Sequence, residues 1–383
     1  MKKLVSLMLS VLLIISLFSG CSGKQASSDV VKVGWIGSLT GDQAVWGISE
    51  SSAVEMFFEE INNNGGLLGK KIEVVKYDTR GDGTEAVNAV RRLTGQDKVI
   101  AIIGPNSSGQ AIPISSVLEE MKVPDIATVA TNPKVTVVDG KVKPYNFRVC
   151  FIDPYQGAVA AGYAIDVLKF NKAAILYDVG DDYSQGLTQY FEETFTKKGG
   201  KIVAKEGFKS GDVDFRAQLT KIKDANPDVI FMPYFFKEVA LSAKQARELG
   251  IKATFIGGDG WTSDQLISMA KDAIEGSYYV NHLDYNDPTV QDFKNKYKEK
   301  FGKDPELNGY LAYDACSMLV EAIKKANSFE GEKIKDALET VDIVGITGKL
   351  KIGKDSHNPE GKDAAIIKIE NGALKFIEKY QVQ

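Results

Sequence analysis

The sequence predicts an α/β protein of two Rossmann-like lobes with parallel sheets, a three-segment hinge and a ligand cleft between the lobes. Three observations predict it. Short apolar runs alternate with helical stretches over 31–128, and the same alternation starts again over 155–256. Parallel strands need crossover connections, so each series reads as one sheet covered by helices. After 281 come three helices with few strands, at 288–301, 308–327 and 331–340, which are surplus to the second sheet but would complete the helical layer of the first. The chain is therefore expected to cross between lobes near 151, 281 and 346. This gives a first lobe of 30–150 plus 282–345 and a second of 151–281 plus 346–383.

Residues 1–20 stand outside this plan. Lys2 and Lys3 precede an apolar run from Leu4 to Phe18 that is too short for a membrane span and reads as a signal peptide. The run ends Leu17-Phe18-Ser19-Gly20-Cys21, which resembles the lipobox of bacterial lipoproteins, with cleavage before Cys21 and a lipid on its thiol. Phe18 departs from the aliphatic residue usual at its position. Residues 22–29 have the composition of a flexible tether, so the expected location is the extracytoplasmic face of the cell membrane, held by a lipid anchor.

In the first lobe, strands are expected at 31–36, 72–77, 99–103 and 124–128. The first helix carries Val54, Phe57, Phe58 and Ile61 on one face and stops at the Asn/Gly run 62–66; helices at 84–94 and 109–121 follow. In the last of these, Ile114, Val117, Leu118 and Met121 fall at i, i+3, i+4 and i+7, one stripe against the sheet, with Pro113 blurring its start. Ser108 lies beyond a strand's carboxyl end at this helix start. It is placed to cap the helix and to offer a hydroxyl to a carboxylate. The second lobe reads as helices at 155–169, 183–198, 214–224 and 236–249 alternating with strands at 173–177, 201–205, 228–232 and 253–256. Strand character returns at 277–280, 349–352, 364–370 and 373–379, the last two joined by Asn371-Gly372 in a hairpin turn.

Composition excludes several functions. The formal charge is −4, or −6 without Lys2 and Lys3, and no basic stripe interleaved with aromatics occurs, so no nucleic-acid partner is expected. Apart from Cys21, only Cys150 and Cys316 remain, both in apolar contexts that suit buried free thiols. His282 and His357 have no metal-ligand spacing and read as solvated loop residues. Ser107 or Ser108 as a nucleophile would need one of them as base, yet no Gly-x-Ser-x-Gly elbow is present, and a hydrolase is disfavoured. Asp78, Arg80, Asp82 and Gly83 resemble half a calcium loop, but Arg80 occupies an oxygen-ligand position, so a turn is expected. No Gly-x-Gly-x-x-Gly follows the first strand, which argues against a dinucleotide. No metal and no cofactor are expected.

Certain loops, taken in order, carry a family resemblance. They are 37–41 with Trp46, Gly65-Gly66 and Gly69, 104–108, Thr131-Asn132-Pro133, Arg148 with Asp153, Gln156 and Gly157, Tyr183 with Gly186, and 257–260. In this order and spacing the chain resembles, over 31–380, the type I periplasmic-binding-protein family, specifically the leucine/isoleucine/valine-binding subgroup of ABC-transporter solute receptors. The resemblance implies a receptor, not an enzyme, that closes on a small amino acid and delivers it, as a monomer, to a membrane permease and its ATPase. It implies that Ser108 and Thr131 hold the ligand carboxylate, with Ser107 a near alternative and the Val129 and Ala130 backbone beside them. It places Asp259, in Gly257-Gly258-Asp259-Gly260-Trp261, on the ligand ammonium, where the family often has the longer Glu, and Tyr183 beside it. Trp46 and Phe235 fall where relatives often carry Tyr, and Asn308 lies, on a loose local match, near a further cleft position of the family. As apolar walls the two rings favour a branched-chain or similar aliphatic side chain. An aromatic acid or an amide in the same fold, and a sensory receptor with the same pocket, are the alternatives.

Overall fold

A computed structural model describes residues 30–382. The leader, Cys21 and the tether lie outside the described residues. Within them, no helix is long and apolar enough to cross a membrane.

The first sheet joins five parallel strands in the order β2-β1-β3-β4-β7. These are β1 (Val30–Gly37), β2 (Lys71–Asp78), β3 (Ile102–Ile103), β4 (Asp125–Ala127) and β7 (Asn146–Arg148). A small hairpin of β5 (Val137–Val138) and β6 (Lys141–Val142) sits between the last two. Both faces of the sheet are covered, as strand alternation requires. On β1, Val31, Val33 and Trp35 enter one core with Phe57 and Phe58, while Ile36 enters another with Val90, Leu93, Val117 and Leu118.

Two local expectations for this lobe change. β3 is shorter than 99–103, although Ile100 N still donates to Lys32 O and Ala101 O still accepts from Gly34 N. The expected 109–121 helix is two pieces, Ser108–Ala111 and Ser115–Met121. Pro113 lacks the N–H that would join them. Ile114, Val117 and Leu118 are buried, but Met121, the last residue of the second piece, reaches solvent.

The second sheet runs β17-β16-β12-β11-β10-β8-β9. Its strands are β8 (Lys172–Asp178), β9 (Lys201–Phe208), β10 (Val229–Phe231), β11 (Thr254–Gly257), β12 (Tyr278–Asn281), β16 (Ala365–Glu370) and β17 (Ala373–Lys379). The first five are parallel, and β16 and β17 add an antiparallel edge. At Asn371 (φ 56°) and Gly372 (φ 68°) two successive left-handed residues turn β16 into β17, the geometry that the right-handed twist of a hairpin selects. Ala173, Ile175, Val229 and Phe231 face one core of this lobe, and Ala174, Leu176 and Ile230 the other.

The helices Pro288–Phe301, Leu307–Ala326 and Gly331–Leu338 return to the first lobe. Leu311, Ala315, Leu319 and Ile323 pack with Val54, Phe57 and Phe58 of the Ala44–Asn63 helix in one core. Val149 and Cys150 belong to this core and Phe151 to a second-lobe core, while Val280 lies in the second lobe and Leu283 in the first. The third crossing falls later than 346. β13 (Asp342–Gly345), β14 (Gly348–Ile352) and β15 (Pro359–Glu360) form a small antiparallel sheet whose Leu350 and Ile352 are buried in the first lobe's core. Residues 357 and 358 are also tied to the first lobe, through His357 Nδ1 at 3.0 Å from Asn146 O and Thr136 Oγ1 donating to Asn358 Oδ1. The chain changes lobe between Glu360 and Ala364, the first residue back in a second-lobe core.

Candidate functional site

A narrow cavity lies between the lobes, with about 20 Å³ of free volume, little more than a water molecule needs. From the first lobe it is lined by Trp46, Asn106, Ser107, Ser108, Val129 and Asn308, and from the second by Tyr183, Phe235, Asp259 and Gly260. Eight of the ten residues singled out above are among these. Ala130 and Thr131 are fully buried beside the lining. Ala130 O accepts from Arg148 Nη1 at 2.6 Å, and Thr131 O accepts from Asp153 N at 2.9 Å, with the Thr131 hydroxyl against the Asp153 carboxyl.

The first-lobe polar groups stand on the loops that leave β3 and β4. Ser107 Oγ accepts from Gln110 Nε2 at 2.7 Å, and Ser108 Oγ accepts from Asn132 N at 3.1 Å, so the two loops are tied to each other. Ser107, not Ser108, takes the position before the helix, and its hydroxyl does not cap it. Arg148, fully buried, also donates to Asn132 O and Thr136 Oγ1 and braces the second loop from beneath.

Asp259 supplies the opposing charge from the loop after β11. It is 4% exposed, with Gln156 Nε2 donating to Oδ1 at 2.9 Å and His282 Nε2 at 2.9 Å from Oδ2. Burial lowers the His282 pKa against the pull of Asp259, so the imidazole is neutral. Burial likewise raises the Asp153 carboxyl well above its ordinary range, with Asp259 adding to the rise. Among the described residues no cationic side chain pairs with Asp259, its histidine neighbour being neutral, so the acid is open to a cationic group of a ligand. Tyr183 Oη accepts from Gly260 N at 3.1 Å, and burial, with Asp259 nearby, pushes its phenol up and keeps it neutral. Gly258 permits this packing: a Cβ there would lie 2.6 Å from Tyr183 Oη and 2.9 Å from Gln156 Nε2.

The aromatic wall crosses between lobes. The Trp46 ring leaves its own lobe to meet Phe235 and Phe236 edge-on, with centroids 5.5 and 5.1 Å away, and Nε1 donates to Thr262 O at 2.7 Å. Phe235 stacks on Tyr183 at 5.4 Å. Asn132 Nδ2 to Asp182 O and Lys237 Nζ to Asp42 Oδ1, each 2.7 Å, complete the contact across the cleft.

Both histidines correct the sequence reading. His282 is 4% and His357 2% exposed, stacked on Phe151 and Phe147 respectively. A signal existed for His282: it directly follows β12, and segments leaving the carboxyl ends of these strands face the cleft. Asn106 was legible only as the neighbour of Ser107, and Asn308 only as a loose match to a family cleft position, since it arrives on a helix distant in sequence. Cys150 and Cys316 are buried free thiols. Asp78 Oδ1 accepts from the backbone N–H of Leu39 and Arg80, so 78–83 is a turn.

Two lobes that meet over a cavity, with hydroxyls on one side and an acid on the other, define a solute-receptor class. The chain belongs to the periplasmic binding protein family, whose model matches residues 30–373. Within it, the relatives are those of the type I, leucine/isoleucine/valine-binding subgroup. An amino acid binding protein of Pseudomonas aeruginosa is 33% identical over 86% of this chain and 87% of its own length. A Leu/Ile/Val-binding protein homologue of Brucella suis is 32% identical over 85% and 88%. Among solved structures, a leucine binding protein of Thermotoga maritima is similar with TM-score 0.85 and 35% identity, over 92% of this chain and 99% of that one. A branched-chain amino acid transporter substrate binding protein of Streptococcus pneumoniae, in complex with isoleucine, is similar at TM-score 0.85 and 30% identity with the same coverage.

Proposed function

We propose that the protein is a lipid-anchored extracytoplasmic receptor that captures a branched-chain or similar aliphatic amino acid by cleft closure and hands it to an ABC permease and its ATPase. The observation that carries this reading is the split of charge-binding groups: Asp259 on the second lobe, without a cationic partner among the described residues, opposite Ser107 and Ser108 on the first. A buried zwitterion needs fixed partners at both ends, and partners on separate lobes make binding itself favour the closed form. Trp46, Phe235 and Val129 supply apolar walls for an uncharged side chain. Thr131 and the Val129 and Ala130 backbone stand within the same loop as further carboxylate partners. Cys21 is the proposed lipid attachment, and the receptor works as a monomer. The carboxamides of Asn106 and Asn308 in the lining favour a second reading, an amide ligand in the same site.

A thermal-shift screen of the purified protein against amino acids, aromatic acids and amides tests this, since a ligand of the native state stabilises by RT ln(1 + [L]/Kd). Shifts confined to leucine, isoleucine, valine and close aliphatics are expected, and Asp259→Ala should abolish them without unfolding the protein. Shifts only with ligands that lack an α-amine would overturn the role of Asp259 and the ligand class together.

A further inference from the structure

We propose that His282 is a positioning residue for the ligand-binding carboxylate: its Nε2–H holds Asp259 Oδ2 and sets the plane in which the remaining lone pairs meet the ligand ammonium. This rests on the reading that Asp259 takes the ammonium. The geometry is a two-point clamp from separate elements. Gln156, on the helix Asp153–Gly162, holds Oδ1 at 2.9 Å, and His282, just beyond β12, holds Oδ2 at 2.9 Å. With Gln156 on one oxygen, His282 on the other and the Tyr183 hydroxyl also against the carboxylate, the group cannot rotate about its Cβ–Cγ bond without breaking a charge-assisted hydrogen bond. The bond also fixes the tautomer. A carboxylate can only accept, so Nε2 carries the proton, and Nδ1, buried with no partner, carries none.

A neutral donor suits this task. It satisfies one lone pair of Asp259 and leaves the charge for the ligand, whereas a lysine or arginine here would neutralise the site before any ligand arrived. The position of the ring adds a mechanical element. His282 stacks on Phe151 with centroids 3.6 Å apart and 17° between planes. Phe151 belongs to the first crossing between lobes and His282 to the second, so the clamp on Asp259 is anchored where the lobes are joined.

Two substitutions separate the donor from the ring. His282→Gln keeps an N–H donor for Oδ2 and loses the stacked ring, and His282→Phe keeps a ring on Phe151 and loses the donor. In titration calorimetry with L-isoleucine, the Gln variant should bind within about threefold of the unaltered protein and the Phe variant at least tenfold more weakly. The opposite order, or unaltered affinity in the Phe variant, would mean that the ring serves packing alone and would overturn the proposal. Asp259→Ala measured alongside separates the two levels: no loss there overturns the ammonium reading and this one with it. Loss there without loss in the Phe variant overturns only this one. Should the Phe variant fail to fold, the imidazole 15N shifts of the unaltered protein decide. A neutral ring protonated on Nε2, with and without L-isoleucine, is expected, and a proton on Nδ1 in the bound state overturns the clamp.

Discussion

Replacing Glu50 with Gln should stabilise the protein at neutral pH by roughly 3 kcal/mol and change little in acid. Glu50 lies on the Ala44–Asn63 helix and is fully buried. Its Oε1 accepts from Trp35 Nε1 at 3.3 Å and Thr128 Oγ1 at 2.9 Å, and the Asn308 carboxamide also lies against the carboxyl. Burial outweighs these bonds and raises the carboxyl from 4.5 to about 8. A carboxyl raised in the folded state keeps its proton at a pH where the unfolded chain has lost it. Folding then takes up a proton, and stability declines as pH rises from the unfolded value toward the folded one. Each pH step between them costs about 1.4 kcal/mol, which gives roughly 3 kcal/mol by pH 7 and about 4 kcal/mol by pH 8, where the folded carboxyl begins to ionise too. Gln has the same shape and no charge to lose, and the other buried acids are common to both proteins and cancel. Urea unfolding of both, without ligand, across pH 4 to 8.5 reads the difference directly. A difference that does not grow with pH, or a Gln variant that is the less stable above pH 7, would refute the reasoning.

Other outcomes follow from single contacts. Trp46→Phe keeps a ring against Phe235 and Phe236 but deletes the Nε1 bond to Thr262 O; amino-acid affinity should drop about fivefold, for a net bond worth about 1 kcal/mol, and solution scattering should show a larger radius of gyration without ligand. Gly258→Ala brings a methyl to 2.7 Å from Leu187 Cδ2 as well as against Tyr183 and Gln156. Calorimetry should then find binding weakened at least tenfold, with an overpacking cost of about 1–3 kcal/mol in denaturation, and wild-type affinity would show that Asp259 does not depend on this packing. Leu350→Ala should cost about 2–5 kcal/mol and, in hydrogen exchange, loosen the helix Leu307–Ala326 and not β8; the reverse pattern would return residues 348–352 to the second lobe.

The alternation of strand and helix was legible because it depends on local periodicity: Val31, Val33 and Trp35 at period two, and Val54, Phe57, Phe58 and Ile61 at helical spacing, commit their segments without help from elsewhere. Asn371-Gly372 was legible for the same reason. The third crossing was not. Leu350 and Ile352 mark a strand, but which of two cores receives them depends on helices that neither residue touches along the chain. His282 was misread on similar grounds. Its partner Asp259 and its stacking surface Phe151 are distant in sequence, and its place just after a strand's carboxyl end was the one local sign of the cleft. Of the cavity, the family pattern supplied the loops and a loose match at Asn308, whose entry into the lining depends on how the helix Leu307–Ala326 docks.

The discontinuity of the first lobe has a consequence for biogenesis. Its sheet is synthesised first, yet the helix that closes its core, Leu307–Ala326, follows the entire parallel part of the second lobe in the chain. Domains built from contiguous sequence can fold as they emerge. This one cannot be completed that way, because Phe57 and Phe58 have the sheet on one side but lack Leu311, Ala315, Leu319 and Ile323 until most of the polypeptide exists. A nascent chain threaded through a membrane amino terminus first would thus remain without a finished leading domain for most of its passage, which keeps it in the extended form that translocation requires.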